Sequence, residues 1–394
     1  SCRRFHIRQT INGMNNFIYH NPTELVFGKG QIARLAKLIP ADKRIMITFG
    51  GGSVKRNGVY EQVIRALEGR EVVEFWGIEA NPSVETLRRA IALGKERRVD
   101  FLLAVGGGSV IDGTKLIAAG LLYEGDAWEI VLKGKAGKTV PLATVLTMSA
   151  TGSEMNNGAV ISRYETKEKY AFYGDYPVFS ILDPETLYSL PVRQIACGLS
   201  DTFVHVLEQY MTTPGQSRLM DRWAEGILHT VIEIAPRALA EPRDYAVMSE
   251  YMLAATLALN DMIRMGVTQD WATHMIGHEL TALHGLTHGA TLAIVINGTL
   301  RVLREQKRGK LLQASRKGRR TSVSTGRSRR PNGSSAPWGF RPVFRRRESV
   351  RRPSPKSSGA SMPSARSTAR PETWTAPRPA GFWRPVSERP DEPA

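Results

Sequence analysis

Cysteine is scarce in this chain, whose 394 residues contain only Cys2 and Cys197. Two cysteines exclude the disulfide framework of small secreted domains and are typical of a protein from a reducing cytosol. Long apolar runs are also lacking, since no stretch reaches the ~18 to 20 residues that a membrane span needs. The first ten residues, SCRRFHIRQT, are partly basic but lack the apolar core of a secretory signal. We therefore expect a cytoplasmic protein that does not act in a membrane.

An even distribution of charge is lacking as well. The formal net charge of +17 by itself favours an anionic partner such as nucleic acid. Residues 315–394, however, hold 19 of the 54 Lys and Arg side chains and only 5 of the 37 Asp and Glu side chains. The rest of the chain is close to neutral. Because the basic segment contains no recognisable RNA- or DNA-binding module, nucleic-acid binding is the weaker hypothesis, and it requires affinity that falls steeply with salt.

The two ends of the chain differ in composition from the part between them. Residues 1–13 precede Met14, and we interpret them as a non-native leader. Residues 314–394 are rich in Arg, Ser, Pro and Gly, show no helical or strand period, and begin in the middle of a helical pattern without a cap or linker. We interpret them as a basic low-complexity tail that is either disordered or translated out of frame.

Between the ends, the pattern of apolar residues changes once. In residues 14–190, short apolar runs that end in glycine, such as RIMITFG (44–50) and DFLLAVGGG (100–108), alternate with amphipathic segments. This alternation predicts a parallel sheet with crossover helices. In residues 191–313, apolar residues recur at helical period instead. The expected fold is α/β plus all-α, with an N-terminal Rossmann-like domain followed by a C-terminal helical domain that is truncated at 313.

Half of the eight histidines lie in one stretch, HMIGHELTALHGLTH, at residues 274–288. His274 and His278 are four residues apart and share a face of a predicted helix. We expect Gly285 and Gly289 to interrupt this helix, which places His288 on a turn or on the next helix. The motif differs from that of the zinc peptidases, in which Glu follows the first His directly. By themselves these rings are equally consistent with solvated or core histidines.

A second motif, DTFVH, places Asp201 and His205 on one face of another predicted helix. Alone, this pair is more often a surface pair or a helix cap than half of a metal site. Together with the histidine-rich stretch it offers one oxygen and three nitrogens to a divalent ion, from Asp201, His205, His274 and His288. Such a set suits Fe²⁺ or Zn²⁺ with one position open for a substrate.

Three loops rich in glycine or small hydroxyl residues are candidates for phosphate binding. GGGSVIDGTK (106–115) follows a strand and precedes a helix, where free N–H groups and the helix dipole favour an anion. Asp112 in this loop is expected to brace it. GGGSV (50–54) follows an earlier strand, and TMSATGSE (147–154) is the third loop. The usual dinucleotide motif GxGxxG is absent, and tight turns alone explain many such glycine runs.

As an ordered set, these motifs resemble those of the iron-containing, metal-dependent alcohol dehydrogenases, especially the NADPH-dependent aldehyde reductases and butanol dehydrogenases. The similarity extends over residues 14–313 and includes FGKG (27–30), GGGSVIDGTK, TGSE (151–154), DTFVH and HMIGHELTALHGLTHG. The resemblance implies a dehydroquinate synthase-like fold, an active site between the two domains and a homodimer.

The resemblance also implies roles for individual residues. Asp201, His205, His274 and His288 match the family's metal ligands, and His278 matches a histidine beside the nicotinamide. The positions that match dinucleotide contacts are Gly50, Gly51, Gly52, Ser53, Gly107, Gly108, Ser109, Thr147, Thr151 and Lys169.

The Gly50 position predicts the cofactor. NAD-preferring relatives carry an acidic residue there, whereas this chain has three glycines followed by Ser53, with Lys55 and Arg56 nearby. Since no carboxylate repels a 2′-phosphate, we expect NADP(H) rather than NAD(H). The predicted function is the metal-dependent interconversion of short to medium aliphatic aldehydes and primary alcohols. A glycerol or diol dehydrogenase of the same fold is the alternative.

Overall fold

The computed structural model of the protein describes residues 13–321. The interpretations of residues 1–12 as a leader and of residues 322–394 as a basic tail therefore concern residues outside the described part. The strands are β1 (Glu24–Phe27), β2 (Ile45–Phe49), β3 (Val72–Phe75), β4 (Phe101–Gly107), β5 (Leu142–Met148), β6 (Gly158–Arg163), β7 (Glu168–Tyr173) and β8 (Phe179–Leu182).

Helices connect these strands and make up the second half of the described chain. They are α1 (Leu35–Leu38), α2 (Ser53–Arg56), α3 (Val59–Ala66), α4 (Val84–Glu96), α5 (Gly108–Gly120), α6 (Ala127–Lys133), α7 (Val192–Tyr210), α8 (Arg218–Ala240), α9 (Tyr245–Ala258), α10 (Ala272–His284), α11 (His288–Val302) and α12 (Arg304–Thr321). None of the helices in residues 13–321 combines the length and apolar character required to cross a membrane.

Six strands form one sheet in the order β1-β8-β5-β4-β2-β3, and every pair in it is parallel. The predicted parallel, Rossmann-like arrangement is therefore confirmed. Because β3 lies on one side of β2 and β4 on the other, the connections diverge between β2 and β4. In open α/β sheets, ligands bind at this switch point, beyond the carboxyl ends of the strands.

One element departs from the predicted alternation. β6 and β7 form a separate antiparallel pair that is inserted between β5 and β8. Isolated bridges connect this hairpin to the rest of the fold, for example from Ser162 to Ser83 at the start of α4. The hairpin thereby brings Lys169 towards the carboxyl edge of the main sheet.

The sheet is buried on both faces, which explains the continuous apolar runs in the sequence. All five residues of β2 are buried. One apolar cluster packs α3 and its neighbours against one face. A second cluster covers the other face and continues through Leu199 of α7 to Tyr251 of α9. The strand-rich and helical parts thus share a core, and the boundary at 190–191 stays a prediction.

The last helix differs from the sequence-based expectation. α12 runs from Arg304 to Thr321, so the helix continues across the change of composition near residue 314. Its first half is anchored by two buried lysines: Lys307 pairs with Asp270, and Lys310 pairs with Asp221. Because Arg and Lys are good helix formers, the basic residues between 315 and 321 are compatible with the last turns of α12.

Candidate metal and dinucleotide site

Three helices converge on the predicted metal ligands. Asp201 and His205 lie on α7, His274 lies on α10, and His288 is the first residue of α11. Gly289 makes the approach of α11 to α7 possible, because a Cβ atom there would lie 2.2 Å from the backbone oxygen of Cys197. Our expectation that Gly289 interrupts a helix was therefore wrong, since it lies within α11. Gly285 does end α10, with a φ of +65°.

Three ring nitrogens surround one oxygen of Asp201. Its Oδ1 atom lies 3.4 Å from Nδ1 of His205. It lies 3.6 Å from Nε2 of His274 and 3.6 Å from Nε2 of His288. Ligands held ~2.1 Å from one ion in a tetrahedron stand about 3.4 Å apart. The three distances to Oδ1 fit ligands of a single divalent cation, but the group whose ligand atoms are all mutually close consists of Asp201, His205 and His274 and does not include His288.

The hydrogen-bonding state of these atoms supports the same conclusion. The ligand atoms of Asp201, His205 and His274 lie within 4.8 Å of one another. Within residues 13–321, Asp201 Oδ1, His205 Nδ1 and His274 Nε2 are buried without a hydrogen-bond partner. Buried polar atoms are normally paired. Three unpaired N and O atoms that lie close together are the arrangement expected of a cation-binding site.

The protonation states of the rings also suit metal binding. Burial lowers the pKa of His205 to about 4 and that of His288 to about 3, so both rings are neutral near pH 7. Burial opposes ionisation of Asp201, but the adjacent imidazoles keep its pKa below the ordinary value. His274 differs, because the effect of burial is outweighed by the nearby carboxylates of Asp201 and Glu208, which raise its pKa to about 9. A cation bound at Nε2 would displace that proton.

His278 lies next to this cluster. Its ring centroid is 5.1 Å from that of His288 and 6.3 Å from that of His274. Burial, reinforced by the charge of Lys169, lowers the pKa of His278 well below its usual value. The ring is therefore neutral near pH 7. His284, in contrast, is an exposed residue at the end of α10.

The predicted phosphate loop lies at the switch point of the sheet. β4 ends at Gly107 and α5 begins at Gly108, so the free N–H groups of the helix face the carboxyl edge of the strands. A Cβ atom on Gly108 would lie 2.2 Å from Oγ1 of Thr151, so glycine allows the TGSE loop to pack against the helix start. Thr147 lies near the end of the neighbouring strand β5 and is buried.

Asp112 lies within α5 and connects this helix to the TGSE loop and to β6. Its carboxylate accepts hydrogen bonds from Oγ of Ser153 at 2.6 Å and from the backbone N–H of Val160 at 2.9 Å. A fully buried lysine that the sequence analysis did not single out completes the network. Lys115 donates to the backbone oxygens of Ser153 at 2.8 Å and Gly158 at 2.7 Å. The TGSE loop is thereby fastened to α5.

Lys169 connects the two halves of the candidate site. Its Nζ atom donates to Oδ1 of Asn81 at 3.0 Å, and the backbone N–H of Asn81 donates to Oγ of Ser109 at 3.4 Å. Burial lowers the pKa of Lys169 to about 8. A cation that spans the phosphate loop and the histidine cluster is suited to hold an anionic cofactor between them.

An open recess borders the glycines that follow β2. It is lined by Gly50, Gly51, Gly52, Lys55, Trp76 and Gly77. Nζ of Lys55 lies 4.1 Å from the centroid of Trp76, whose ring stacks on Phe49 with centroids 4.0 Å apart. No carboxylate is among these lining residues. Ser53, a predicted cofactor contact, is exposed at the start of α2 but is not part of the recess lining.

Comparison with known proteins identifies the family. Residues 22–184 match the iron-containing alcohol dehydrogenases, and residues 194–328 match the C-terminal part of the Fe-containing alcohol dehydrogenase family. The chain belongs to the iron-containing alcohol dehydrogenase family. The resemblance stated from the motifs is therefore confirmed, and the protein is a metal-dependent alcohol–aldehyde oxidoreductase by family.

Individual relatives agree with this assignment. The NADPH-dependent aldehyde reductase YqhD of Escherichia coli is 55% identical over 306 residues, which cover 76% of this chain and 79% of YqhD. The probable NADH-dependent butanol dehydrogenase 1 of Bacillus subtilis is 46% identical over 73% of this chain and 76% of its own length.

Solved structures show the same fold. The crystal structure of E. coli YqhD matches with a TM-score of 0.76 and 53% identity, covering 80% of this chain and 82% of that one. NADH-dependent butanol dehydrogenase A of Thermotoga maritima matches with a TM-score of 0.73 and 39% identity, over 76% and 77% of the two chains.

In this iron-containing alcohol dehydrogenase, one buried carboxylate beside the Asp201–histidine cluster was not predicted from the sequence. Glu208 lies on α7, seven residues after Asp201, and bonds to Nδ1 of His274. Its position on the same helix face as Asp201 and His205 was the available signal. A glutamate at this spacing, however, cannot be distinguished in sequence from an ordinary polar residue.

Proposed function

We propose that the protein reduces short to medium aliphatic aldehydes to primary alcohols with NADPH and also catalyses the reverse reaction. Asp201, His205, His274 and His288 are the proposed ligands of one Fe²⁺ or Zn²⁺ ion. The observation that carries this proposal is the single oxygen of Asp201 facing three ring nitrogens at 3.4 to 3.6 Å. A substrate oxygen would bind as a further ligand, since catalytic metal sites can expand beyond four ligands.

The proposed chemistry divides between bound groups and the chain. When bound, the metal supplies Lewis acidity for a carbonyl oxygen and the nicotinamide supplies hydride. The histidine cluster would hold the ion, the glycine loops would hold the dinucleotide, and Lys169 would lie between these two sets of residues. His278 is placed to hold or pass the proton that the product alcohol needs.

Lys55 supports the choice of NADP(H) over NAD(H). The relatives divide on this point, since YqhD is named NADPH-dependent and the Bacillus butanol dehydrogenase NADH-dependent. Here the recess beside Gly50–Gly52 is lined by one lysine and no carboxylate. A 2′-phosphate would meet a cation that the Trp76 ring already holds in place. Charge-assisted bonds of this kind discriminate between anionic and neutral groups.

Steady-state kinetics with butanal test the cofactor proposal. We expect kcat/KM to be higher with NADPH than with NADH. Because a hydrogen bond to a charged group contributes about 1.5 to 3 kcal/mol, Lys55→Ala should lower kcat/KM for NADPH by at least tenfold and leave that for NADH unchanged. Arg56→Ala is the matched control, since Arg56 is exposed and does not line the recess. A clear preference of the wild type for NADH would refute the proposal.

The alternative, a glycerol or diol dehydrogenase of the same fold, is distinguished by product analysis. We expect butanal and NADPH to give butanol, with little NADP⁺-dependent oxidation of glycerol. A reversed preference would favour the alternative.

We further propose a cytoplasmic homodimer. The free, buried thiol of Cys197 is consistent with a reducing compartment. Phe17 and Ile18 are exposed on the extended segment that precedes the edge strand β1, where a second subunit would cover them. Sedimentation analysis of the full chain should give twice the monomer mass, and a monomer would contradict this assignment.

A further inference from the structure

Glu208 makes more contacts than a helix cap requires. One oxygen of its carboxylate accepts the backbone N–H of Thr273 at 2.5 Å. The other accepts the backbone N–H of His274 at 3.3 Å and also bonds to Nδ1 of the His274 ring. The same side chain therefore fixes both the first turn of α10 and the orientation of a ring that this turn carries.

The tautomer of His274 follows from this contact. A carboxylate only accepts hydrogen bonds, so Nδ1 must carry the proton that it shares with Glu208. In the neutral ring, Nε2, the atom that faces Asp201, then has its lone pair available for a cation. A carboxylate–histidine pair of this kind also increases the basicity of the ligating nitrogen.

The balance of buried charge points the same way. Glu208 and Asp201 are both buried, and the described residues place no lysine or arginine in hydrogen-bond or ion-pair contact with Glu208. The nearby Lys307 is occupied by Asp270 and the backbone oxygen of Met211. A divalent cation would balance the charge of these two buried carboxylates.

We propose that Glu208 is a positioning residue, which holds His274 in the tautomer and orientation that bind the metal. This inference rests on the proposed metal site of Asp201, His205, His274 and His288. Glu208 itself contacts neither the ion nor the substrate. Its effect is therefore expected in metal affinity, not only in the stability of α10.

The affinity of the full-length protein for Zn²⁺, measured by competition with a chromogenic chelator, tests the inference. Glu208→Gln keeps the shape of the side chain but presents one oxygen where the carboxylate presents two. We expect this variant to bind Zn²⁺ 10- to 100-fold more weakly, the range typical when such a partner is lost. An affinity within threefold of the wild type would overturn the proposal.

Asp270→Asn is the matched control for a purely structural role. Oδ1 of Asp270 accepts the N–H of Ala272 at 3.0 Å, so this residue caps the same turn of α10 without touching the His274 ring. We expect the control to lower the thermal midpoint of the metal-free protein and to leave Zn²⁺ affinity within threefold. An equal loss of affinity in both variants would show that the stability of α10 alone matters, and would overturn the proposal.

Two further results keep the inference separate from the proposed function. A wild-type protein that binds no equivalent of Zn²⁺ would refute the metal site itself. If Glu208→Gln does not fold, a crystal structure of the zinc-loaded wild type decides the question. Coordination through Nε2 of His274, with Nδ1 on Glu208, is the expected result, and coordination through Nδ1 would overturn the inference.

Discussion

Replacing Gly289 by alanine has two opposed effects on stability, a gain in helix propensity and a steric clash with α7. Alanine is favoured over glycine inside a helix by about 1 kcal/mol, so propensity alone predicts a more stable protein. The new Cβ atom would, however, lie 2.2 Å from the oxygen and 2.8 Å from the carbon of the Cys197 peptide. These atoms belong to the backbone of α7 and cannot rotate away. Restoring an ordinary contact requires α11 to move by about 1 Å, and overpacking of this kind costs about 1 to 3 kcal/mol.

We expect the steric clash to outweigh the gain in helix propensity. The clash involves backbone atoms, so its cost lies at the upper end of that range. Gly289→Ala should then destabilise the protein by about 2 kcal/mol, or several degrees in thermal midpoint for a protein of this size. His288 is the adjacent residue, so its distance from Asp201 should increase and Zn²⁺ affinity should fall as well.

The same helix provides the control. Gly298 also lies within α11, and a Cβ atom there would meet nothing within 4 Å. Gly298→Ala should therefore raise the midpoint in urea or thermal unfolding of the metal-free protein. If Gly289→Ala proves as stable as Gly298→Ala, the close packing of α11 on α7 is not what selects glycine at this position, and our reasoning is refuted.

Two further predictions concern charge. Lys169 is protonated below its pKa of about 8 and neutral above it, so kcat/KM for NADPH should fall as pH rises through 8. Lys169→Arg should remove this decrease. An unchanged pH profile in that variant would exclude a contact between Lys169 and the cofactor. Lys310→Met leaves Asp221 buried without its cationic partner and should lower the free energy of unfolding in urea by about 3 to 5 kcal/mol. Arg308→Ala, at an exposed pair with Glu305, should lower it by under about 1 kcal/mol. Similar losses of stability in both variants would contradict the assignment of Lys310 as a buried anchor.

The sequence predicted the structure best where a local residue pattern is sufficient to determine the secondary structure. The apolar runs 44–50 and 100–108 end in glycine where strands of a buried parallel sheet lead directly into the glycine-rich loops, and both strands are confirmed. The sharing of a helix face by Asp201 and His205 follows from helical period alone. That α10 and α11 bring His274 and His288 to the same oxygen could be expected from the family resemblance but not from spacing.

Other features depend on tertiary contacts that leave no local pattern. From the sequence, Gly289 was interpreted as a helix breaker. Its actual role depends on close packing against Cys197, which belongs to a different helix and cannot be located from the local sequence. Glu208 and Lys115 resemble ordinary polar residues of amphipathic helices until their buried partners are known. The β6–β7 hairpin was missed because two short strands within an α/β pattern look like one more unit of the alternation.

The convergence of three helices on Asp201 has a consequence for the order of assembly. Asp201 and His288 are separated by ~90 residues of chain, so an ion that binds both closes a long loop, much as a disulfide would. In the chain-entropy description, tying the ends of a ~100-residue loop restricts the unfolded state by up to about 4.7 kcal/mol. Because the ligands meet only where α10 and α11 pack against α7, we expect the ion to bind after these helices dock and then to slow the unfolding of the helical half.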